Sequence, residues 1–285
     1  MILVFGKTGQ VTTELQSHKD VIAIGRDQVD LNIPTTCSEA IRQYKPRAVI
    51  NAAAYTAVDQ AESEEHLANK VNGEAPGAMA RTCAGLGIPL VHISTDYVFF
   101  GNGSVPWQNV DPPNPKNAYG RSKFKGEQAI SASGCVHAIL RTSWVLSAHG
   151  HNFVKTMRRL SETRDHVAVV DDQIGGPTCA RDIAQTCIAI AEQLIQDQSK
   201  SGIYHYSGQP NVSWCQFANA IFEQMGCKTI ASPIPTTEYP TPALRPLNSR
   251  LDCEATQNTF GIARPFWRDG LGEILRDLEG EHDRA

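Results

Sequence analysis

The sequence predicts an α/β protein, a Rossmann-like, doubly wound parallel sheet with a smaller, discontinuous C-terminal substrate lobe. Three observations carry this. Strand-like apolar runs alternate with helix-like runs through the first half of the chain. Several of those runs are apolar without alternation, as strands covered on both faces are. The first run also ends in a glycine turn that opens a helix.

In order, MILVF (1–5), DVIAIG (20–25), RAVINAA (47–53) and PLVHIST (89–95) read as strands. TTCSEAIRQY (35–44) and EEHLANKVNGEAPGAMARTCAGLG (64–87) read as helices, the second one bent or broken around Gly73, Pro76 and Gly77. KFKGEQAISAS, the strand-like HAILRTSW and the helical NFVKTMRRLSE continue the pattern. After residue 143 the rhythm loosens. The proline-rich run IPTTEYPTPALRPLNS (234–249) is neither helix nor central strand, and it joins the helical SWCQFANAIFEQMG to a terminal FWRDGLGEILRDLEG. The expected division is residues 1–143, mainly dinucleotide-binding, and 144–285, mainly a substrate lobe with segments returning to the first.

The 285 residues are 41% hydrophobic and 20% charged, with a net charge of −4, so nothing argues for a nucleic-acid or anionic-membrane partner. No apolar run reaches the roughly 18 residues that suggest a membrane span. MILVF already reads as a strand and not as a leader, so the expected location is the cytoplasm. Eight scattered cysteines with no CxxC pair imply reduced, mostly buried thiols, with no disulfide framework and no zinc site.

Gly6 and Gly9 lie between the first strand and a helix, in GKTGQV. The first permits a tight turn, the second a close backbone approach to a pyrophosphate, and the helix N-terminus offers N–H groups to phosphates. Thr12 stands where the three-glycine fingerprint has its third glycine. A turn that merely connects two elements is the competing reading. Arg26, after the second strand, suits a 2′-phosphate and so NADPH, although a solvated arginine reads equally well; Asp30 and Leu31 border the adenine.

The second constellation is ST at 94–95, closing a strand, followed by NAYGRSKFKGE. Tyr119 and Lys123 are four apart and share a helix face. A phenol is a reluctant acid–base group at neutral pH, and a neighbouring ammonium draws its pKa toward the working range. With Thr95 holding a substrate oxygen, the set is a device for reducing a carbonyl with hydride from a nicotinamide. The competing reading is a Tyr and a Lys on a solvated helix face.

These motifs, together with NAAAYTAVDQAE (51–62), STDYVFFG (94–101), LRTSWV (140–145), DDQIGGPT (171–178) and RPLNSRLD (245–252), resemble the extended short-chain dehydrogenase/reductase family over essentially the whole chain. The last two are similar to its rhamnose-pathway reductases. The resemblance implies NADPH-dependent, or NADH-dependent, reduction of the 4-keto group of dTDP-6-deoxy-L-lyxo-4-hexulose to dTDP-L-rhamnose. It implies Thr95, Tyr119 and Lys123 as the catalytic set, with Tyr119 as proton donor and Lys123 also on the nicotinamide ribose. It places Gly9, Gln10 and Val11 at the pyrophosphate, Asp30 and Leu31 at the adenosine, and Ala54, Tyr55 and Thr56 along the cofactor. Asp96 and Trp144 match sugar-binding positions, and the indole suits a core position as well.

Arg245 and Arg250 are candidates for bidentate contacts to the nucleotide diphosphate, with surface ion pairing as the rival reading. The proline-rich run would form one wall of that pocket. Asp171 and Asp172 would instead cap a helix or pair locally. Thr12, Phe100 and Leu146 depart from the family pattern, the last two where the sugar pocket is expected. A homodimer and a magnesium ion are further implications of the resemblance, with no metal ligands assigned. Two alternatives on the same fold are a non-catalytic subunit of the methionine adenosyltransferase beta type, and an epimerase or dehydratase that recycles its bound cofactor.

Overall fold

The computed structural model describes residues 1–282. Its frame is a six-stranded parallel sheet of β1 (Ile2–Phe5), β2 (Val21–Ile24), β3 (Ala48–Asn51), β4 (Leu90–Thr95), β5 (His137–Thr142) and β6 (Gly202–His205), in the spatial order β6-β5-β4-β3-β1-β2. The chain runs outward from β1 to β2 and then returns across β1 to β3. The strand order therefore reverses beside β1, and a crevice opens at the carboxyl ends of β1 and β3.

The unbroken apolarity of β1 has its explanation in the two layers. Ile2 and Val4 face a core with α1 (Gln10–Leu15) and a long helix over Ala180–Gln196, while Leu3 and Phe5 face one with α2 (Pro34–Tyr44) and the 75–86 helix. Each residue of the strand is fully buried.

The expected break near Gly73 does not occur. Helix α3 (Glu65–Asn69) passes through a π turn, Lys70–Glu74, into α4 (Ala75–Leu86), with Pro76 in the first turn of α4. A wider turn at the junction absorbs the proline's missing N–H without a break. The glycines serve packing. A Cβ on Gly77 would lie 2.9 Å from the Ala129 Cβ, so the helix touches α5 (Ala118–Ser131) almost backbone to side chain. Gly126 of α5 reciprocates, since a Cβ there would run into the Asn72 carbonyl oxygen.

Beyond β5 the second lobe packs α6 (Phe153–Ser161), α8 (Trp214–Gln224) and α10 (Trp267–His282) against a short parallel pair, residues 166–170 with 230–234. The proline-rich run enters as the edge of that pair and leaves as a two-residue strand, 248–249. Three elements of the large sheet layer went unread in the sequence: α7 (Ala180–Gln196), β6 and α9 (Glu254–Phe260), whose Phe260 packs against Tyr204.

Candidate active site

The glycine turn sits at the strand-order reversal. Gly6 has φ +111°, a conformation that costs other residues strain, and a Cβ on it would lie 2.7 Å from Thr12 Cγ2. The third glycine is therefore compensated at the first: the Thr12 methyl occupies the space above Gly6. Thr12 is buried, and its hydroxyl donates to Gly9 O at 2.8 Å. No side chain caps α1 at Gly9, which leaves its leading N–H groups without a side-chain acceptor.

A cleft of about 630 Å³ opens here, lined by Gly6, Gly9, Arg26, Asp30, Leu31, Ala54, Tyr55 and Thr56 among the expected cofactor residues. Gln10 and Val11 do not line it. The Gln10 amide oxygen accepts from Asn152 Nδ2 at 3.0 Å, tying the turn to the second lobe, and Val11 points into the core. Arg26 is largely exposed, 3.9 Å from Asp30. Lys7, overlooked in the sequence although it sits inside GKTGQ, lines the same end 4.0 Å from Asp27.

Helix α5 starts where Asn117 Oδ1 accepts the Gly120 N–H at 2.8 Å, and this cap places Tyr119 and Lys123 beside the end of β4. The Thr95 hydroxyl donates to Asp96 Oδ1 at 3.1 Å, accepts from Tyr97 N at 3.2 Å, and lies within hydrogen-bonding reach of the Tyr119 phenol. Tyr97 meets Tyr119 edge-on, with ring centroids 5.5 Å apart. Lys123 Nζ donates to Ile93 O at 2.7 Å and contacts His92 Nε2 at 3.2 Å. Thr95, Asp96 and Tyr119 thus form one group, while Lys123, one helical turn along α5, is held by Ile93 O and His92.

Burial governs the charges. It pushes the Tyr119 phenol up to about 12, against a lowering hydrogen bond from Thr95 and with Asp96 adding to the rise. The expectation of a phenol drawn down by Lys123 is not met: loss of water outweighs the Thr95 hydrogen bond, and Lys123, turned to Ile93 O and His92, does not contribute. The same loss brings the Lys123 ammonium down to about 8, opposed by Glu127. Asp96 is raised to about 6, chiefly by burial, and its Oδ2 has no partner.

Past Tyr97 lies a second cavity of about 270 Å³, lined by Phe99, Phe100, Lys116, Arg245 and Pro246 among others. The proline-rich run forms one of its walls. Arg245 also holds Asp59 through two hydrogen bonds of 2.9 and 2.8 Å. Arg250 is not part of this lining and donates to Asn248 Oδ1 at 2.9 Å. Phe100 carries the Lys116 ammonium 3.4 Å from its ring centroid. Leu146 is a core residue of the second lobe and no wall of either cavity. Trp144, at φ +48°, stacks on Trp214 with centroids 3.6 Å apart. Asp171 pairs with Ser213, and Asp172 accepts from Thr236.

Sequence reasoning also missed Asn72, whose side chain grips the Tyr55 backbone in both directions at 2.8 and 3.0 Å and reaches Ser122 of α5. It missed Asn51 and His92 as well. A histidine inside the apolar run PLVHIST was the available signal. Among the described residues, no cluster of three or more His, Cys, Asp or Glu is placed to hold a metal ion, and no helix is long and apolar enough to cross a membrane.

Comparison with known proteins agrees with this geometry. Residues 1–279 match the family described as RmlD substrate binding domain. The dTDP-4-dehydrorhamnose reductase of Sinorhizobium fredii is 43% identical, over 96% of each chain. A solved dTDP-4-dehydrorhamnose reductase from Clostridium acetobutylicum superposes with a TM-score of 0.90 at 35% identity, covering 98% of this chain and 99% of that one. One from Bacillus anthracis, in complex with NADP, gives 0.89 at 33%, covering 97% and 98%.

Proposed function

Because the chain belongs to the dTDP-4-dehydrorhamnose reductase family, we propose that it reduces the 4-keto group of a dTDP-linked 6-deoxy-4-hexulose, giving dTDP-L-rhamnose, with NADPH or NADH as reductant. The observation that carries this reading is the setting of Tyr119: it packs with Tyr55, which lines the cleft suited to a dinucleotide, and meets Tyr97, which lines the cavity shared with Arg245, with Thr95 in reach of its phenol.

The residues of the cleft fit a nicotinamide dinucleotide. The space over Gly6, the uncapped start of α1 and the Asp30–Leu31 edge suit pyrophosphate and adenosine. Lys7 and Arg26 supply positive charge for a 2′-phosphate at the Asp27–Asp30 edge. When bound, the cofactor supplies the hydride. Everything else falls to the protein. Thr95 orients the substrate oxygen, and Tyr119, held protonated by burial at any working pH, gives that oxygen its proton. Lys123 stands one helical turn away to stabilise the phenolate left behind. Asp96, whose free oxygen lacks a protein partner, takes a sugar hydroxyl, and Trp144 offers an indole face to the hexose. Arg245 and Lys116 meet the diphosphate, and Arg250 is a further candidate for it. On this reading residues 1–143 with the returning α7, β6 and α9 mainly hold the cofactor, and the remainder, joined by Thr95, Asp96, Lys116 and Tyr119, mainly holds the sugar nucleotide.

The alternatives separate cleanly in one assay. With the 4-keto sugar nucleotide present, a reductase consumes NADPH in step with substrate. A binding subunit binds NADPH without turnover, and an epimerase turns over with no net oxidation of cofactor.

A further inference from the structure

We propose that His92 is a positioning residue for Lys123, and that Asn51, His92 and Lys123 share one hydrogen-bond pattern in which the charge of the lysine, the tautomer of the imidazole and the orientation of the amide change together. The proposal rests on the reductase reading for what Lys123 does, and on geometry for the coupling itself.

His92 lies inside β4, three residues before Thr95, and is wholly buried. Its ring bridges two neighbours: Nδ1 is 3.0 Å from Asn51 Nδ2 on β3, and Nε2 is 3.2 Å from Lys123 Nζ on α5. A neutral imidazole has one N–H and one lone pair, so it cannot accept at both ends. Asn51 Oδ1 accepts the Ala53 N–H at 3.2 Å, which turns the amide NH₂ toward the ring. In that arrangement Nδ1 accepts, Nε2 carries the proton, and the lysine nitrogen must offer a lone pair; it is a neutral amine. An ammonium on Lys123 has no lone pair. It needs Nε2 as acceptor, which moves the ring proton to Nδ1 and turns the Asn51 oxygen to receive it, releasing Ala53.

The other charged and titratable groups facing this chain are Glu127 on α5, which favours the ammonium, and His137 on β5, which disfavours charge on His92. Burial disfavours charge at both ends, so a second proton on the ring does not resolve the conflict. The arrangement lets the lysine gain or lose its proton with both ring nitrogens of His92 paired throughout, the Ala53 N–H alone giving up its bond when the amide turns. It also holds Nζ where Ile93 O supplies its remaining protein contact.

The test is an NMR titration of the full chain, with ¹⁵N-histidine reporting the His92 tautomer and ¹³Cε-lysine reporting Lys123, beside the pH profile of kcat/KM. The expected result is that the His92 resonances change tautomer at the pH where Lys123 titrates. Asn51→Asp, which presents an acceptor to Nδ1 at all times, should move the Lys123 midpoint and the alkaline limb of kcat/KM upward by about one pH unit. His92→Leu should lower kcat at least tenfold with the sugar-nucleotide KM within twofold, and His92→Gln, which restores an acceptor, should recover most of it. A single His92 tautomer throughout the Lys123 titration overturns the proposal, as does an Asn51→Asp protein with an unmoved midpoint. A wild type that binds NADPH but reduces nothing sinks the reductase reading alone, since the two resonances still decide the coupling.

Discussion

Tyr119 and Lys123 are held in opposite directions by one cause, loss of water, and the predictions at the residue scale follow from that. Tyr119→Phe removes the proposed proton donor and keeps the ring, so turnover should fall by about 10²–10⁴-fold, while NADPH affinity measured by fluorescence titration stays within about threefold of wild type. Lys123, brought down from 10.5 to about 8, is an ammonium below that pH and an amine above it. The pH profile of kcat/KM should therefore fall on the alkaline side near 8. Asp96 is raised from 3.8 to about 6, so the native state binds a proton more tightly than the unfolded chain. Its contribution to stability is fullest below 3.8 and is lost as the pH climbs through 6, a loss on the order of 3 kcal/mol. Asp96→Asn should accordingly raise the melting temperature at pH 7.5 and show no gain near pH 4. A gain that is the same at both pH values contradicts the buried carboxylate as the source.

At the scale of elements, two joints decide the site. The first is the turn into α1. The sequence pattern suggests that a threonine at position 12 weakens the cofactor site, but its methyl fills the space over Gly6 and its hydroxyl holds Gly9 O. Thr12→Gly should thus lower stability by roughly 1 kcal/mol, mostly from the buried methyl with a few tenths from helix propensity, and leave NADPH affinity within about twofold; thermal melts and titrations read the two separately. The second joint is the contact of α5 with the π turn. Gly126→Ala would drive a methyl into the Asn72 carbonyl, and Asn72 carries the Tyr55 backbone. Overpacking of this kind costs about 1–3 kcal/mol, and the displaced α5 should lower kcat as well. Undiminished stability in Gly126→Ala would show that the helices can part freely. The packing at neither joint was legible in one dimension. The glycines at 73 and 77 read as helix breakers because their partners, Lys125 and Ala129, lie some fifty residues away.

Across the whole molecule, what could be read from the sequence was whatever is local. GKTGQV, ST at a strand end and the Tyr–Lys spacing each carry their geometry within a few residues, so the sheet, the glycine turn, the end of β4 and the helix of Tyr119 and Lys123 were legible before any fold. In the second lobe only the helices α6, α8 and α10 were. Its strands of two residues are too short to show a period, and in the sheet layer α7 follows Cys179 with no side-chain cap to announce it. His92 was visible only as an oddity in an apolar strand, because its partners come from β3 and α5. The account nonetheless makes one claim above all others, that cleft, Tyr119 group and Arg245 cavity form a single reductase site. The most direct measurement is NADPH oxidation by the purified protein with the dTDP-linked 4-keto-6-deoxyhexose, run beside Tyr119→Phe. The account predicts one NADPH oxidised per sugar nucleotide reduced, and near-complete loss of that oxidation in the variant. Cofactor binding without oxidation, or a variant as fast as wild type, would contradict it.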